Sequence, residues 1–149
     1  MPVDIATEIE IDRPREEVAA FASDPDNAMR WYENIKRVEW QTRRPLEVGS
    51  RIAFVAHFLG RPLDYTYEVQ ELEPGARFVM RTEEGPFAME TTYEWRDAPG
   101  GGTRMTLRNR GEPTRFSKVS AKLMATAMRR ANRKDLERLK AILEEPVSE

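Results

Sequence analysis

Residues 117–144 read SKVSAKLMATAMRRANRKDLERLKAILE, and the reading of this stretch decides the fold. It holds no Gly or Pro, Ser117 is placed to cap its start, and Pro146 stands just beyond its end. These signals predict one long helix. At 1.5 Å per residue it would run about 42 Å, longer than the roughly 33 Å of a ten-residue strand. Such a helix must lie across a sheet and cover most of one face. An apolar stripe runs through Met124, Met128, Ala131, Leu136, Leu139 and Leu143, while Arg129, Arg130, Arg133, Lys134 and Lys140 occupy the other side.

The sheet that this helix would cover is legible upstream. In VDIATEIEI (3–11), Val3, Ile5, Thr7, Ile9 and Ile11 share one face of a strand. The period then changes. Pro14 suits a first helical position, Glu16 and Glu17 suit the positive end of a helix dipole, and Val18, Phe21 and Ala22 follow at helical spacing. SDPDNAMRW restarts with Asp24 as a cap and predicts a second short helix ending near Trp31. From 35 to 110 the chain alternates strand-like runs with breaks at RRPLEVGS, LGRP, EPGA, EEGP and APGGG. The runs are IKRVEWQT, RIAFVAHF, LDYTYEVQEL, RFVMRT, FAMETTYEW and TRMTLRNR, with connections short enough for antiparallel neighbours. With the first strand they predict a seven-stranded sheet.

Alternation assigns the faces. Arg104, Thr106, Arg108 and Arg110 mark the wet face of the last strand, so Thr103, Met105, Leu107 and Asn109 point inward. By the same test Phe87, Met89, Thr91, Tyr93, Trp95, Leu63, Tyr65, Tyr67, Val69, Phe78, Met80, Val38 and Trp40 point in. The hairpin HFLGRPLDYTY (57–67) carries His57, the only histidine, and its face depends on the loop. A two- or four-residue loop centred on Gly60-Arg61 sets Phe54, Phe58, Tyr65 and Tyr67 inward and pairs His57 with Asp64 outside. The four-residue form is favoured because Pro62 lacks an N–H. A three-residue loop would turn His57 inward. It would also expose Ile52, Phe54 and Phe58, forfeiting several kcal/mol at roughly 25 cal/mol per Å². His57 is therefore expected to face outward.

Composition narrows the function. The 149 residues favour one domain, 1–149. The absence of cysteine removes disulfides, thiol chemistry and cysteine–metal sites, and a single histidine argues against zinc. No metal or cofactor is expected. No apolar run is long enough for a membrane span, and MPVDIATEIEIDRP lacks the pattern of a signal peptide, so the expected location is cytoplasmic. Residues 1–103 carry 12 Lys+Arg against 20 Asp+Glu, and residues 104–140 carry 12 against 3. This split fits a basic helix lying on an acidic sheet, or else an anionic partner. Nucleic acid is not expected, because the basic segment offers only Phe116 as a stacking platform. The chain is expected to be a monomer or homodimer.

The inward residues are rich in aromatics and methionine, and the first half of the covering helix is slim: Ala121, Met124, Ala125, Ala127, Met128, Ala131. Two outcomes stand open: a filled core, or a cavity where a curling sheet leaves space at one end. Trp31, Trp40, Phe54, Phe58, Tyr65, Tyr67, Met80, Met89, Thr91, Tyr93, Met105, Met124 and Met128 are the candidate ligand-binding residues. No catalytic residue is assigned, and by this register no carboxylate, Lys, Arg or His faces inward.

The order strand, two short helices, six strands, long C-terminal helix resembles the START-like helix-grip superfamily, also called SRPBCC. IEIDRPREEVAAFASDPDNAMRW resembles its opening, and VGSRIAFVAHFLGRPLDYTYEVQELEPGARFVMRT the next strands of its polyketide cyclase/dehydrase-like branch. GGTRMTL resembles its last strand, and NRKDLERLKAILE its helix ending. The resemblance implies an α+β fold in which a curved antiparallel sheet grips the long helix around a hydrophobic cavity. It implies binding or transport of a small hydrophobic or aromatic molecule. The alternatives are a cofactor-independent cyclase or dehydratase using pocket tyrosines, and an interaction module using the basic helix face.

Overall fold

The computed structural model describes residues 3–82, 88–112 and 120–145. Strand β1 (Val3–Ile11) leads into helix α1 (Arg15–Ser23), a 3-10 turn at Pro25–Asn27 and the short α2 (Ala28–Trp31). Then follow β2 (Ile35–Trp40), β3 (Arg51–Phe58), β4 (Arg61–Glu73), β5 (Arg77–Arg81), β6 (Ala88–Asp97) and β7 (Thr103–Glu112). Helix α3 (Ala121–Glu144) closes the chain. The seven strands form one antiparallel sheet in the order β1-β7-β6-β5-β4-β3-β2. The expected helix-grip architecture is therefore present, with α3 packed against the sheet at its β1 edge and against α2.

Local chemistry sets the element ends. Pro14 is the N-cap of α1 rather than its first helical residue, and Glu16 and Glu17 lie in the first turn. Asp24 accepts from the Asp26 N–H at 2.9 Å and starts the 3-10 turn. Ser120 caps α3, its side chain accepting from the Leu123 N–H at 3.1 Å. The predicted cap Ser117 and the inward Phe87 lie outside the described residues.

The predicted faces agree with the burial along the strands. Met89, Thr91, Tyr93 and Trp95 of β6 are buried, as are Met105, Leu107 and Asn109 of β7. The wet face is laced by cross-strand ion pairs: Arg108–Asp4 at 2.6 Å, Arg104–Glu10 at 2.6 Å, Arg110–Glu90 at 2.8 Å. The arginines of β7 are thus neutralised by acids of β1 and β6. The charge split of the sequence is in part a pairing between neighbouring strands.

The β3–β4 hairpin corrects one expectation. Its loop is two residues centred on Leu59-Gly60, with Phe58 opposite Arg61, Ala56 opposite Leu63 and Phe54 opposite Tyr65. This pairing is shifted by two from the expected one, so every side chain keeps its face but changes its partner. His57 is exposed, as expected, yet sits opposite Pro62; Asp64 lies opposite Val55. The missing N–H of Pro62 is no obstacle there. The His57 N–H donates to Asn34 C=O at 2.9 Å, toward β2, so the His57–Pro62 pair is one that exchanges no ladder bonds. The tight loop requires positive φ at both central residues, and Leu59 (51°) and Gly60 (76°) supply it.

Candidate functional site

Between the concave face of the sheet and α3 lies a cavity of about 150 Å³. Strands β3 to β7, the α1–α2 segment and the middle of α3 each contribute wall. Its aromatic side is built by cross-strand neighbours. Phe54 stacks on Tyr65 at 5.8 Å between ring centroids, and Tyr65 meets Tyr67 edge-on at 5.3 Å. Phe58, Met80, Met89 and Met128 add flexible apolar surface. All four tyrosines of the chain line the space: Tyr32, Tyr65, Tyr67 and Tyr93.

Of the candidate residues read from the sequence, Phe54, Phe58, Tyr65, Tyr67, Met80, Met89, Thr91, Tyr93 and Met128 come together on this wall. Four do not. Trp31 is fully buried beneath Tyr32, with ring centroids 4.1 Å apart. Trp40 sits on edge strand β2, donating from Nε1 to Asp26 at 2.8 Å and carrying the Arg44 guanidinium 4.7 Å over its ring. Met105 and Met124 fill the core away from the cavity.

The wall also holds polar residues that the sequence reading left out of the site. Tyr32 follows α2, where no periodicity assigns a direction. Strand alternation points Asn109 inward, but nothing in the sequence ties it to the site. The expectation that no carboxylate faces inward is overturned by Asp135, which lines the cavity and is 3% exposed. Asn132 lies beside it, one helical turn earlier. Both fall on the spacing of the α3 stripe: 124, 128, 132, 135, 139. A strictly periodic reading would have included them despite their polarity.

The hydrogen bonds sort these groups. Thr91 donates from Oγ1 to Asn109 Oδ1 at 2.9 Å, which spends its single proton, so Tyr67 donates its hydroxyl to Thr91 at 2.9 Å. The hydroxyls of Tyr32 and Tyr93 meet at 2.5 Å. Asp135 Oδ1 accepts from the Glu33 N–H at 3.1 Å, fixing the α3 carboxylate to the end of α2. Asn132 Nδ2 is buried without a partner among the described residues.

Burial governs the protonation of the site. It pushes the Tyr32 and Tyr65 hydroxyls well above the usual tyrosine range, and neighbouring tyrosines add to the effect. Burial likewise raises Tyr93, partly offset by its bond to Tyr32. Tyr67 is pushed up by burial to about 12, with the Thr91 hydrogen bond opposing. All four therefore stay protonated near neutral pH and act as hydrogen-bonding groups rather than bases. Asp135 differs. Burial raises it from 3.8 to about 6, while the Glu33 N–H pulls the other way. It is a cavity carboxyl that changes charge close to neutrality.

A curved sheet, a long gripping helix and an apolar cavity with a few converging polar groups define a helix-grip ligand-cavity protein. The sequence from residue 2 to 144 matches the family "Polyketide cyclase / dehydrase and lipid transport", and the chain belongs to it. No curated protein matches the chain. Among solved structures it is similar to a START-superfamily protein from Mycobacterium smegmatis, with TM-score 0.80, 14% identity and 95% and 97% of the two chains covered. It is similar to the Zhui aromatase/cyclase from Streptomyces sp. R1128, with TM-score 0.80, 13% identity and 99% and 97% coverage. A protein of Thermus thermophilus aligns with TM-score 0.74, 24% identity and 93% and 98% coverage. At these identities the likeness is one of fold.

Proposed function

We propose that this protein binds a small aromatic or hydrophobic molecule in the cavity between sheet and α3, as a carrier or sensor. The observation that carries the reading is the cavity itself, walled by all four tyrosines with Phe54, Phe58 and three methionines. An apolar cavity of about 150 Å³ is of the size that takes one aromatic ring. The single-ring class follows from that volume, while a multi-ring or long-chain ligand would require the wall to move. Native mass spectrometry of the protein purified from its own host, followed by thermal-shift titration of the released compound, tests the reading. A retained compound that stabilises the fold on re-addition supports it. A protein that is empty and is stabilised by no aromatic or lipid-like compound overturns it.

A second reading, a cofactor-independent cyclase or dehydratase, is favoured by one observation. Asp135 is a carboxyl at the cavity that exchanges a proton near pH 6, as a general acid or base must. Turnover of a poly-β-ketone substrate that is lost in Asp135→Asn, and weakened in Tyr65→Phe or Tyr67→Phe, would establish it. Ligand binding without turnover leaves the carrier reading in place.

A further inference from the structure

The hydrogen-bonding groups of the cavity do not all satisfy one another, and the remainder describes a ligand. Tyr67, Thr91 and Asn109 Oδ1 form a chain in which both hydroxyl protons are used. Tyr32 and Tyr93 bring two hydroxyl protons to a single mutual hydrogen bond, so one O–H is left over. Asn132 Nδ2 carries amide protons with no acceptor among the described residues. The Glu33 N–H occupies Oδ1 of Asp135, and its other carboxylate oxygen has no hydrogen-bond partner among the described residues. These leftover groups are neighbours. Asn132 and Asp135 share one face of α3, and with Tyr32 and Tyr93 they line the same cavity. A buried donor without an acceptor is costly, and α3 carries one beside an acceptor with spare capacity.

We propose that Asn132, Asp135 and the Tyr32–Tyr93 pair form a polar anchor for a single-ring ligand bearing one hydroxyl, a phenol or aryl alcohol. The inference rests on the cavity being a ligand site. A hydroxyl is the smallest group that both donates and accepts. It donates to the open Asp135 oxygen and accepts from the Asn132 amide or the spare tyrosine proton. The ring then lies against Phe54, Tyr65 and the methionines. A purely apolar ring leaves the anchor groups unpaired, so the site discriminates by oxygen rather than by size.

Calorimetric titration of the full chain with p-cresol and p-xylene, rings of nearly equal size, tests the anchor. The expected result is p-cresol binding about 10- to 100-fold tighter than p-xylene. Asn132→Leu should lower that ratio about 5- to 10-fold while leaving p-xylene bound at least as tightly. Asp135→Ala is the second variant, to be used if Asn132→Leu does not unfold cooperatively. Equal affinity for the two rings in the unaltered protein, or a ratio unchanged in both variants, overturns the anchor and leaves the cavity reading standing. Tighter binding of 4-methylbenzylamine than of p-cresol also overturns it, because the carboxylate would then be a cation site. Failure of every ring to bind removes the anchor and the cavity reading together.

Discussion

Asp135→Asn should gain in stability on the unaltered protein as pH rises. Asp135 is almost fully buried and makes one hydrogen bond among the described residues, from the Glu33 N–H. Asparagine has nearly the same shape and its Oδ1 can accept the same bond, but its amide N–H groups find no acceptor there among the described residues, a pH-independent cost of about 1–3 kcal/mol. The folded-state carboxyl sits near 6, above its ordinary 3.8, because burial disfavours the ionised form. The native state therefore holds this proton more tightly than the unfolded chain does. That contribution to stability is complete below about pH 4 and is lost as pH rises through 6. From the difference between 3.8 and about 6, the ionised carboxylate costs the fold about 3 kcal/mol at pH 7.5 but only about 0.5 kcal/mol at pH 4.

Urea unfolding of both proteins from pH 4 to pH 8 isolates this effect, since every other carboxylate titrates alike in the two. Between pH 4 and pH 7.5 the variant should gain about 2.5 kcal/mol on the unaltered protein, or roughly 5–10 °C in Tm. A gap that does not change with pH would refute the assignment of a buried, strained carboxyl. A group that costs stability at neutral pH and lies on a cavity wall is better explained by function than by folding.

Leu59→Gly should stabilise the β3–β4 hairpin by about 1 kcal/mol, because it relieves a side chain held at positive φ; chemical denaturation reads this directly. Unchanged or lower stability would mean that the Leu59 side chain contributes more than its backbone strain costs. Thr91→Val breaks the chain from Tyr67 to Asn109 and leaves Asn109 Oδ1 unpaired, so it should cost about 1–3 kcal/mol by the same assay. Gly111→Ala would drive a Cβ into the Ala88 carbonyl and should lower Tm by several degrees, whereas a neutral result would show that the β6–β7 pair yields there.

The fold could be read because each element carries its own period. The alternation in 3–11 and 103–110, and the long stripe of α3, each point to one face, and those faces fit only one another. The site was partly legible for the same reason, since strand alternation placed Tyr65, Tyr67, Met89, Thr91 and Tyr93 on the concave face. It failed where direction is set by tertiary contacts. Tyr32 leaves a four-residue helix with no period to orient it. Trp31 and Trp40 look like ligand platforms by type, yet one packs into the core and the other ties β2 to the 3-10 turn through Asp26. The register of the hairpin was displaced because a leucine in a left-handed turn is a poor sequence signal, whereas Pro62 is a loud one. Asp135 was missed for a further reason. It lies on the spacing of an apolar stripe, where a polar residue reads as solvent-facing.

The central claim is that small aromatic molecules enter the space between sheet and α3. Methyl NMR of the protein labelled at its methionines tests this most directly, with p-cresol added to saturation. Met80, Met89 and Met128 line the cavity, Met105 and Met124 lie in the core away from it, and Met29 is half-exposed on α2. Ring currents from a ligand in the cavity should shift the first three strongly and leave Met29, Met105 and Met124 nearly unchanged. Shifts confined to Met29, or no shift at Met80, Met89 and Met128, would contradict the account.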